Sequence, residues 1–588
     1  MKTFKYIAMM AATAAFALTS CSESFLDKLP DERTEIDNED QVAKLLITSY
    51  PTGSYAWICE LSSDNIMDNN APHLPASPNA EQTMTHYNLS PYDRTDDEMF
   101  RFEPAKSSTN QDTPAFLWET FYAAIQQASM ALQSIDEIAA TNRQNGDLGI
   151  DGDGMTESLK ASKGEALLIR AYCHFILVNV FSQAYKDDNA SRNDIGIPYV
   201  TEPEDKVLYN YNRGNVTDTY NMIQKDLEEG LNYVSDRNYK MLKWRFNTNA
   251  AHAFAARFYL YKRDWEKVIQ HANYVLGTDM ASIQNKLMKY DKFDECTYSS
   301  DYAKEWQSPE YFNNLMIIDT HSLEFRHALG NRFGQNSTVV RDIFYHNCPL
   351  WRSWVVNPTA YVSGMTFWTG HDYGYCSGKV AEEFEYTDKI AGIGYVHTIK
   401  REFTTNELLL ERAEAKIMLA DYAGALEDMA AYLESNQSFS DANKIFWGRN
   451  NGMAPLTVEV LNSYYSKSTN PNCFENWDFV TNMSPSYVIP AEAVPYMNCL
   501  NDFRRFETAW DGLRFFDLKR WGVEYSHFYG ALNEEIKLTW NDPRRAIEVP
   551  QDAIAAGMQP SQPTTTSSDD ESKRATTQPR ADKYIYLK

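Results

Sequence analysis

Two stretches of the chain follow one pattern: residues 256–269 read ARFYLYKRDWEKVI, and residues 413–426 read AEAKIMLADYAGAL. In each stretch a small residue lies on an apolar helical face, and a large aliphatic residue follows four positions later. An aspartate, Asp264 or Asp421, can then cap a second helix, which an aromatic residue opens. The spacing predicts two pairs of consecutive helices that share one geometry.

This two-helix pattern resembles the tetratricopeptide repeat, in which a small residue on one helix receives a bulky one from its partner. Upstream, apolar residues that recur at steps of three and four predict three more helices. One begins at the cap Thr113, the second covers residues 159–181, and the third follows the candidate cap Thr217. The chain is therefore predicted to be mostly α, as a tetratricopeptide-like helical array with repeats at about 40–276 and 403–550.

Between about residues 277 and 402 the helical pattern fails, and this segment is predicted to be a large loop-rich insertion. A loop region of this length inside a compact protein usually carries function. Its Trp and Tyr residues are interleaved with Gly, Asn, Ser and Pro. Aromatic rings suit the flat C–H faces of sugars, and Asn, Asp and Arg side chains suit their hydroxyl groups. The composition therefore predicts a ligand-binding insertion.

The aromatic residues of the insertion supply the candidate ligand-binding side chains. At least two or three of these rings are expected to face the ligand, and the alternative for any single ring is a core beneath the loops. The candidates are Trp306, Tyr311, Trp351, Trp354, Trp368, Tyr373 and Tyr375. His86 and Tyr87, which lie in a second irregular stretch, are secondary candidates.

The N-terminus has the composition of a secretory signal peptide. Lys2 and Lys5 precede an apolar run that is too short to span a bilayer, and Ser20-Cys21 follows it. The cysteine after small residues resembles a bacterial lipobox, in which cleavage leaves an acylated Cys21 at the new N-terminus. Residues 1–20 are then a signal peptide, and the mature chain is tethered by lipid to a membrane outside the cytoplasm. The alternative is a plain secretory signal with a chance cysteine.

Charge and cysteine content exclude several classes of protein. The chain has 81 Asp and Glu residues against 55 Lys and Arg residues, and its net charge of -26 repels phosphate backbones. No nucleic-acid partner is therefore expected. Besides Cys21 the sequence has seven cysteines, which cannot all pair, and it has no CxxC spacing. Neither a complete disulfide framework nor a zinc ribbon is predicted.

Enzyme signatures are mostly absent, because the sequence has no HExxH, GxSxG or Walker A motif. Carboxylates are too numerous for their spacing to indicate a glycosidase, which stays a minor alternative. The acidic run at residues 147–157 does not match calcium-loop spacing, and it is predicted to be a solvated turn. No catalytic residue, metal or cofactor is predicted. A structural ion-pair network that fastens the last helix to the array is predicted for Arg514, Asp517, Lys519 and Arg520.

Several short motifs follow one another along the chain. They are the lipobox with Phe25-Leu26-Asp27 and Pro30, Trp118-Glu119-x-x-Tyr122, Lys163-Gly164-Glu165-Ala166 with Arg170-Ala171-Tyr172, Asn249-Ala250-Ala251, Glu407-Leu408-Leu409-Leu410, Gly512-Leu513-Arg514-Phe515-Phe516-Asp517, and Ile547-x-Val549-Pro550. In this order they resemble the SusD/RagB family of outer-membrane lipoproteins. The order, which covers nearly the whole mature chain, is more specific than any single motif.

The resemblance implies a single SusD-like unit over residues 21–588. It implies a non-enzymatic, surface-facing lipoprotein of the outer membrane that binds oligosaccharides and passes them to a TonB-dependent, SusC-like transporter. Capture of peptides, as in RagB-type members, is the alternative. The sequence departs from the family pattern at residues 506–511 and in a Ser/Thr-rich, low-complexity tail at about 559–582, predicted to be mobile or extended. Both departures leave the ligand class open.

Overall fold

The structure is a computed structural model that describes residues 36–72, 87–106, 110–203, 211–296, 298–344, 350, 366–368, 374–436, 455–466, 482–484 and 487–561. The predicted signal peptide, Cys21 and the tail beyond residue 561 lie outside these described residues. The α-helices are α1 Glu39–Ile47, α2 Ala56–Leu61, α3 Arg94–Phe100, α4 Pro114–Gln144, α5 Glu157–Phe181, α6 Val216–Tyr233, α7 Thr248–Lys262, α8 Trp265–Leu276, α9 Met280–Lys286, α10 Ser299–Gln307, α11 Glu324–Ala328, α12 Ser337–Phe344, α13 Thr405–Met418, α14 Tyr422–Asn436, α15 Val458–Tyr464, α16 Val494–Glu507, α17 Leu513–Trp521 and α18 Gln551–Ala555. The predicted class, a mostly α helical array, is confirmed.

The two stretches with the shared pattern form two helical pairs, α7 with α8 and α13 with α14. Asp264 caps α8 through a hydrogen bond from the backbone of Lys267, and Asp421 accepts one from the backbone of Gly424. The residue just before each aspartate has a positive φ, 67° at Arg263 and 61° at Ala420. The pairs therefore share a left-handed residue at the same place in the turn, and α8 packs on α13 to join them.

The three longer helices upstream also form. Thr113 caps α4 as predicted, with its hydroxyl accepting from the backbone of Phe116 at 3.2 Å. The cap of α6 differs from the prediction, because the Asn215 side chain accepts from the backbone of Asp218 at 2.9 Å. Thr217 lies inside the first turn of α6, and its hydroxyl donates to the carbonyl oxygen of Asp188. An Asn two residues earlier is an equally good cap, which explains the shift.

Helix α5 is the central core helix of this array. Among the described residues it alone is long and apolar enough to cross a membrane, and that apolar stretch is wholly buried inside the protein. It packs on α4 and α6. A Cβ at Gly164 would lie 2.5 Å from the backbone nitrogen of Val234, so the close approach of this neighbouring segment requires the glycine. Burial on every side identifies α5 as a core element.

Short antiparallel strands connect the helices. They are β1 Met67–Asp68, β2 Asn314–Thr320, β3 Phe333–Gly334, β4 Thr366–Trp368, β5 Tyr375–Ser377, β6 Glu383–Asp388, β7 Ile393–Thr404, β8 Asn482–Ser484, β9 Tyr487–Val488, β10 Tyr525–Tyr529 and β11 Glu534–Leu538. The largest sheet has the order β2-β7-β6 and lies within the predicted insertion. The predicted insertion thus contains more regular secondary structure than expected. The helical sequence pattern fails there because parts of the segment form strands. Strand β7 continues directly into α13.

The charged cluster of α17, which consists of Arg514, Asp517, Lys519 and Arg520, is a structural ion-pair network, as predicted. Arg520 donates to Glu414 of α13 at 2.7 Å and to Asp517 at 2.8 Å. Arg514 binds a carboxylate in the loop after α2. Lys519 donates to backbone carbonyl oxygens at the end of α5, and burial lowers the pKa of its ammonium to about 7. These contacts fasten α17 to both halves of the array.

Candidate ligand-binding junction

The pairing of β1 with β3 brings the two irregular stretches of the sequence together. Asp68 is the register partner of Phe333, although the two residues are far apart in the chain. The backbone nitrogen of Asn69 donates to the carbonyl oxygen of Arg332 at 2.7 Å. The nitrogen of Arg332 in turn donates to the carbonyl oxygen of Ser90 at 3.2 Å. The loop before α3 and the loop before β3 are therefore one continuous surface.

Arg332 is held in place at the centre of this surface. Its Nε and Nη2 donate to Asp68 at 2.9 and 2.7 Å, and its Nη1 donates to Asp97 of α3 at 3.2 Å. The guanidinium lies 4.3 Å from the ring centre of Tyr529, whose hydroxyl also donates to Asp97 at 2.8 Å. Gly530, in the turn after β10, donates its backbone N–H to Asp68. Burial acts to lower the pKa of Arg332, but the hydrogen bond and charge of Asp68 outweigh it and raise that pKa.

Tyr92 is the exposed aromatic ring of this surface, with 45% of the residue accessible to solvent. Its ring centre lies 4.5 Å from that of His327, which supports it from below. The Nδ1 of His327 lies 2.9 Å from Asp96, and Asp96 also accepts from Nε1 of Trp57 at 2.8 Å. Burial acts to lower the pKa of His327, but the hydrogen bond and charge of Asp96 outweigh it and raise that pKa. The Tyr92 ring therefore rests on a fixed, buried base.

We call the group formed by Asp68, Tyr92, Asp97, Arg332 and Tyr529 the Tyr92 junction. Tyr92 follows Ser90 by two residues, and the carbonyl oxygen of Ser90 accepts from the backbone of Arg332. The Arg332 guanidinium is set in place by charge-assisted hydrogen bonds to Asp68 and Asp97. A flat ring can stack on an apolar ligand face, and the polar groups can bind hydroxyl or amide groups beside it. The junction is suited to binding, because its polar groups hold one another in place.

Trp306 does not contribute to this junction, and the prediction that it faces a ligand is wrong. It is 0% exposed and packs in a small cluster with Tyr290 and Phe293, at ring-centre distances of 5.8 and 5.0 Å. The Arg401 guanidinium lies 4.4 Å from its ring centre and the Lys379 ammonium 5.2 Å from it. The alternative of a core beneath the loops holds for this ring, because neighbours cover it on all sides.

Two other predicted residues have described side chains. Tyr311 is half-buried, and its hydroxyl donates to Glu305. Tyr375 is half-buried in β5, and its backbone nitrogen donates to the carbonyl oxygen of Gln335 at 3.1 Å, next to β3. The structure therefore brings Tyr375 towards the junction and places Tyr311 beside α10.

The other candidates stay predictions. The backbone of Trp368 pairs with Tyr375 in β4, and nothing is described of its side chain. Trp351, Trp354, Tyr373 and His86 lie outside the described residues. Tyr87 is half-buried at the edge of the junction, where its backbone nitrogen donates to the carbonyl oxygen of Asn69.

The described residues do not gather into a site with three or more His, Cys, Asp or Glu ligands for a metal ion. In the acidic turn between α4 and α5, Lys160 forms ion pairs with Asp151 and Asp153. An ammonium group occupies the space between these carboxylates, which agrees with the predicted solvated turn. Among the described residues Cys59, Cys173, Cys296 and Cys376 are free thiols, and Cys173 is buried in α5 as an apolar side chain.

Comparison with known proteins supports the fold class and the predicted family resemblance. The paired helices define a tetratricopeptide-like helical protein. Residues 24–260 match a SusD-like family model described as starch-binding and associating with the outer membrane. No curated protein matches the sequence.

Solved structures of low sequence identity share the fold over nearly their whole length. A SusD superfamily protein from Bacteroides vulgatus ATCC 8482 is 17% identical, with a TM-score of 0.55 over 89% of this chain and 98% of that one. A putative sugar binding protein from the same organism is 16% identical, with a TM-score of 0.55 over 90% of this chain and 99% of that one. The sequence match over residues 24–260 and the shared fold together support the predicted resemblance to the SusD/RagB family.

Proposed function

We propose that the protein is a lipid-anchored receptor of the outer membrane that binds oligosaccharides and passes them to a TonB-dependent, SusC-like transporter. The family model is described as starch-binding, and a structural relative is named a putative sugar binding protein. The observation that carries the proposal is the exposed ring of Tyr92, which packs on the buried His327 in a loop whose Ser90 accepts a hydrogen bond from the backbone of Arg332.

The geometry of the junction fits a sugar ring. One face of a pyranose is a flat array of C–H groups, which stacks on an aromatic ring, while its hydroxyl groups lie around the edge. Arg332 uses Nε, Nη1 and Nη2 on two carboxylates and has further N–H groups that can donate to a hydroxyl oxygen. Since these polar groups are already ordered, binding a sugar there costs little conformational entropy.

Cys21 is the proposed lipid anchor, and the cell surface is the proposed location. Acylation would hold the mature chain at the membrane without a spanning helix, as the buried position of α5 requires. Transfer to the transporter requires release of the intact ligand, so no cleavage step is proposed. The protein is therefore expected to bind without turnover.

Isothermal titration with a panel of purified oligosaccharides tests the proposal. At least one glycan is expected to bind, and Tyr92→Ala is expected to weaken that binding by tenfold or more, because it removes the stacking surface. Tyr274→Ala is the matched control, since this tyrosine of α8 is 58% exposed and lies in the helical array. It should leave the affinity unchanged.

Three outcomes would contradict the proposal or its site. Silence across a broad glycan panel, with binding of peptides in a parallel titration, would establish the peptide-capturing alternative. Appearance of shorter sugars during prolonged incubation, followed by chromatography, would establish a glycoside hydrolase. Equal loss of affinity in Tyr92→Ala and Tyr274→Ala would move the site away from the Tyr92 junction.

A further inference from the structure

Two histidines on the first helical pair face each other through their ring nitrogens. His252 of α7 and His271 of α8 have their Nδ1 atoms 2.8 Å apart, and both residues are half-buried. Other described histidines bond to different partners. His327 and His397 bind carboxylates, and His527 contacts two backbone carbonyl oxygens. The facing imidazoles are thus a distinct arrangement within the described part of the chain.

Neighbouring rings fix the two imidazoles. The ring of Tyr274 stacks on His252 with a centre distance of 3.6 Å, and the ring of Tyr259 lies parallel to His271 at 5.6 Å. Lys267 is the nearby cation, and its ammonium is bound to Glu228 at 2.9 Å. Glu228 therefore offsets part of the charge that Lys267 places near His271.

The Nδ1 atoms of His252 and His271 can both be made available to a ligand without net loss of a proton. At 2.8 Å one Nδ1 donates its proton to the other, so the accepting imidazole is neutral. Among the described residues, no hydrogen bond engages Nε2 of His252 or of His271. If the donor imidazole carries its proton on Nε2 instead, both Nδ1 lone pairs are free.

We propose that His252 and His271 form a binding site for a divalent transition-metal ion of the copper(II) type, with water in the remaining positions. Imidazole nitrogen is a preferred ligand of such ions, and copper(II) favours square-planar or tetragonal geometry. With metal–nitrogen bonds of about 2 Å, neighbouring ligands of a square-planar ion lie about 2.8 Å apart. This is the separation of the two Nδ1 atoms. The ring centres are 5.1 Å apart, so the two nitrogens face each other directly, and each ring has to turn by about 45° for both lone pairs to meet at one ion.

Zinc fits the pair less well. In a tetrahedral zinc site with bonds of about 2.0–2.1 Å, two nitrogens lie about 3.3 Å apart. The imidazoles would then have to separate by roughly 0.5 Å against their stacked tyrosines. The protein is therefore expected to bind copper(II) more tightly than nickel(II), and nickel(II) more tightly than zinc. Tighter binding of copper(II) than of nickel(II) is also the general order for these ions at nitrogen sites.

Titration with Cu²⁺ and electron paramagnetic resonance of the adduct test the site, in protein purified without a polyhistidine tag. The wild-type spectrum should show two equivalent equatorial nitrogens, and His252→Ala and His271→Ala should each weaken Cu²⁺ binding by tenfold or more and remove that pattern. His321→Ala is the matched control, because this half-buried histidine lies beside Tyr395 and pairs with no other histidine among the described residues.

The proposal is overturned if the wild-type spectrum lacks two equatorial nitrogens, or if the alanine variants bind Cu²⁺ as the wild type does. His271→Gln keeps a hydrogen-bonding side chain at this position, and it should also lose the two-nitrogen spectrum while circular dichroism shows an unchanged fold. A His321→Ala protein that loses the spectrum would place the copper elsewhere and would equally overturn the proposal.

Discussion

The buried ion network at α17 and the Tyr92 junction are built from the same chemical parts. In the network, Arg520 binds two carboxylates and lies 4.4 Å from the ring centre of Trp521. In the junction, Arg332 binds two carboxylates and lies 4.3 Å from the ring centre of Tyr529. The network is sealed, whereas the junction opens to solvent at Tyr92. Residue types alone therefore do not distinguish a buried structural ion network from the proposed binding surface, whereas exposure of the aromatic ring to solvent does.

The largest expected effect is on stability, when the sealed network is broken. Arg520→Ala leaves the buried carboxylate of Glu414 without its guanidinium, and an unpaired buried charge costs about 3–5 kcal/mol. We expect the upper end of this range in the free energy of unfolding, measured by urea denaturation. Lys44→Ala is the control: its pair with Asp40 is exposed on α1 and should change stability by less than about 1 kcal/mol. Equal losses in the two variants would show that the network does not fasten α17.

The second expected effect concerns Trp306, the ring that proved to be buried. Trp306→Ala removes a large side chain from a closed cluster, which typically costs about 3–5 kcal/mol. The lower end is expected, because Nε1 of Trp306 has no hydrogen-bond partner among the described residues. Urea denaturation measures the loss, and glycan titration of the folded variant should give unchanged affinity. A weakened affinity without loss of stability would make Trp306 part of the binding surface after all.

The helical pairs could be predicted because their signals are local. A cap such as Asp264 or Asp421 and the apolar spacing around it lie within one or two turns of the chain, where periodicity is informative. The strands in the insertion could not be predicted in this way. Strand β7 has buried polar and charged residues such as Lys400 and Glu402, which pair with each other rather than alternate with apolar ones. Its pattern is therefore set by partners that are remote in sequence.

The helical core and the Tyr92 junction should respond differently to acid, because one buried histidine lies in the core, another lies beneath the junction, and the two pKa values are shifted in opposite directions. Burial lowers the pKa of His174 in α5 to about 3. Its Nε2 accepts a hydrogen bond from the backbone of Val200, which fits the unprotonated ring. The pKa of His327 is raised by Asp96 over the effect of burial. Acidification from pH 6.5 towards 3 therefore destabilises the protein through His174. The contribution of the His327–Asp96 pair is complete below pH 6.5 and is lost as pH rises through the raised pKa.

The size of the His174 effect can be measured by comparing pH 7 with pH 4.5. The unfolded state binds a proton at pH 4.5 that folded His174 does not, which costs about 3 kcal/mol. Since other groups also titrate, the test compares urea denaturation of the wild type and His174→Gln at both values. The variant should lose about 3 kcal/mol less on acidification. Identical losses would mean that His174 is protonated in the folded protein.

The Tyr92 junction was not predictable from the sequence for a physical reason. Asp68 and Arg332 are separated by 264 positions, and they meet through β1 and β3, which are two residues long. Strands of that length leave no alternation to detect. Tyr92 itself follows a proline within a polar stretch, and nothing in its neighbours indicates that its ring lies on His327. Composition predicts aromatic ligand contacts in the loops, but only the long-range pairing selects which ring is open.

The smallest expected effect on stability comes from Tyr92, the solvent-exposed ring of the Tyr92 junction. Tyr92→Ala should lower the free energy of unfolding by at most about 1 kcal/mol, because the ring is exposed on one side and contacts mainly His327. The same change should weaken glycan binding tenfold or more, which is about 1.4 kcal/mol. Tyr92→Phe keeps the ring and should bind within about threefold of the wild type, since stacking rather than the hydroxyl carries the contact. If Tyr92→Phe loses as much affinity as Tyr92→Ala, the hydroxyl is the contact; if neither loses any, the open ring of the junction is not where the ligand binds.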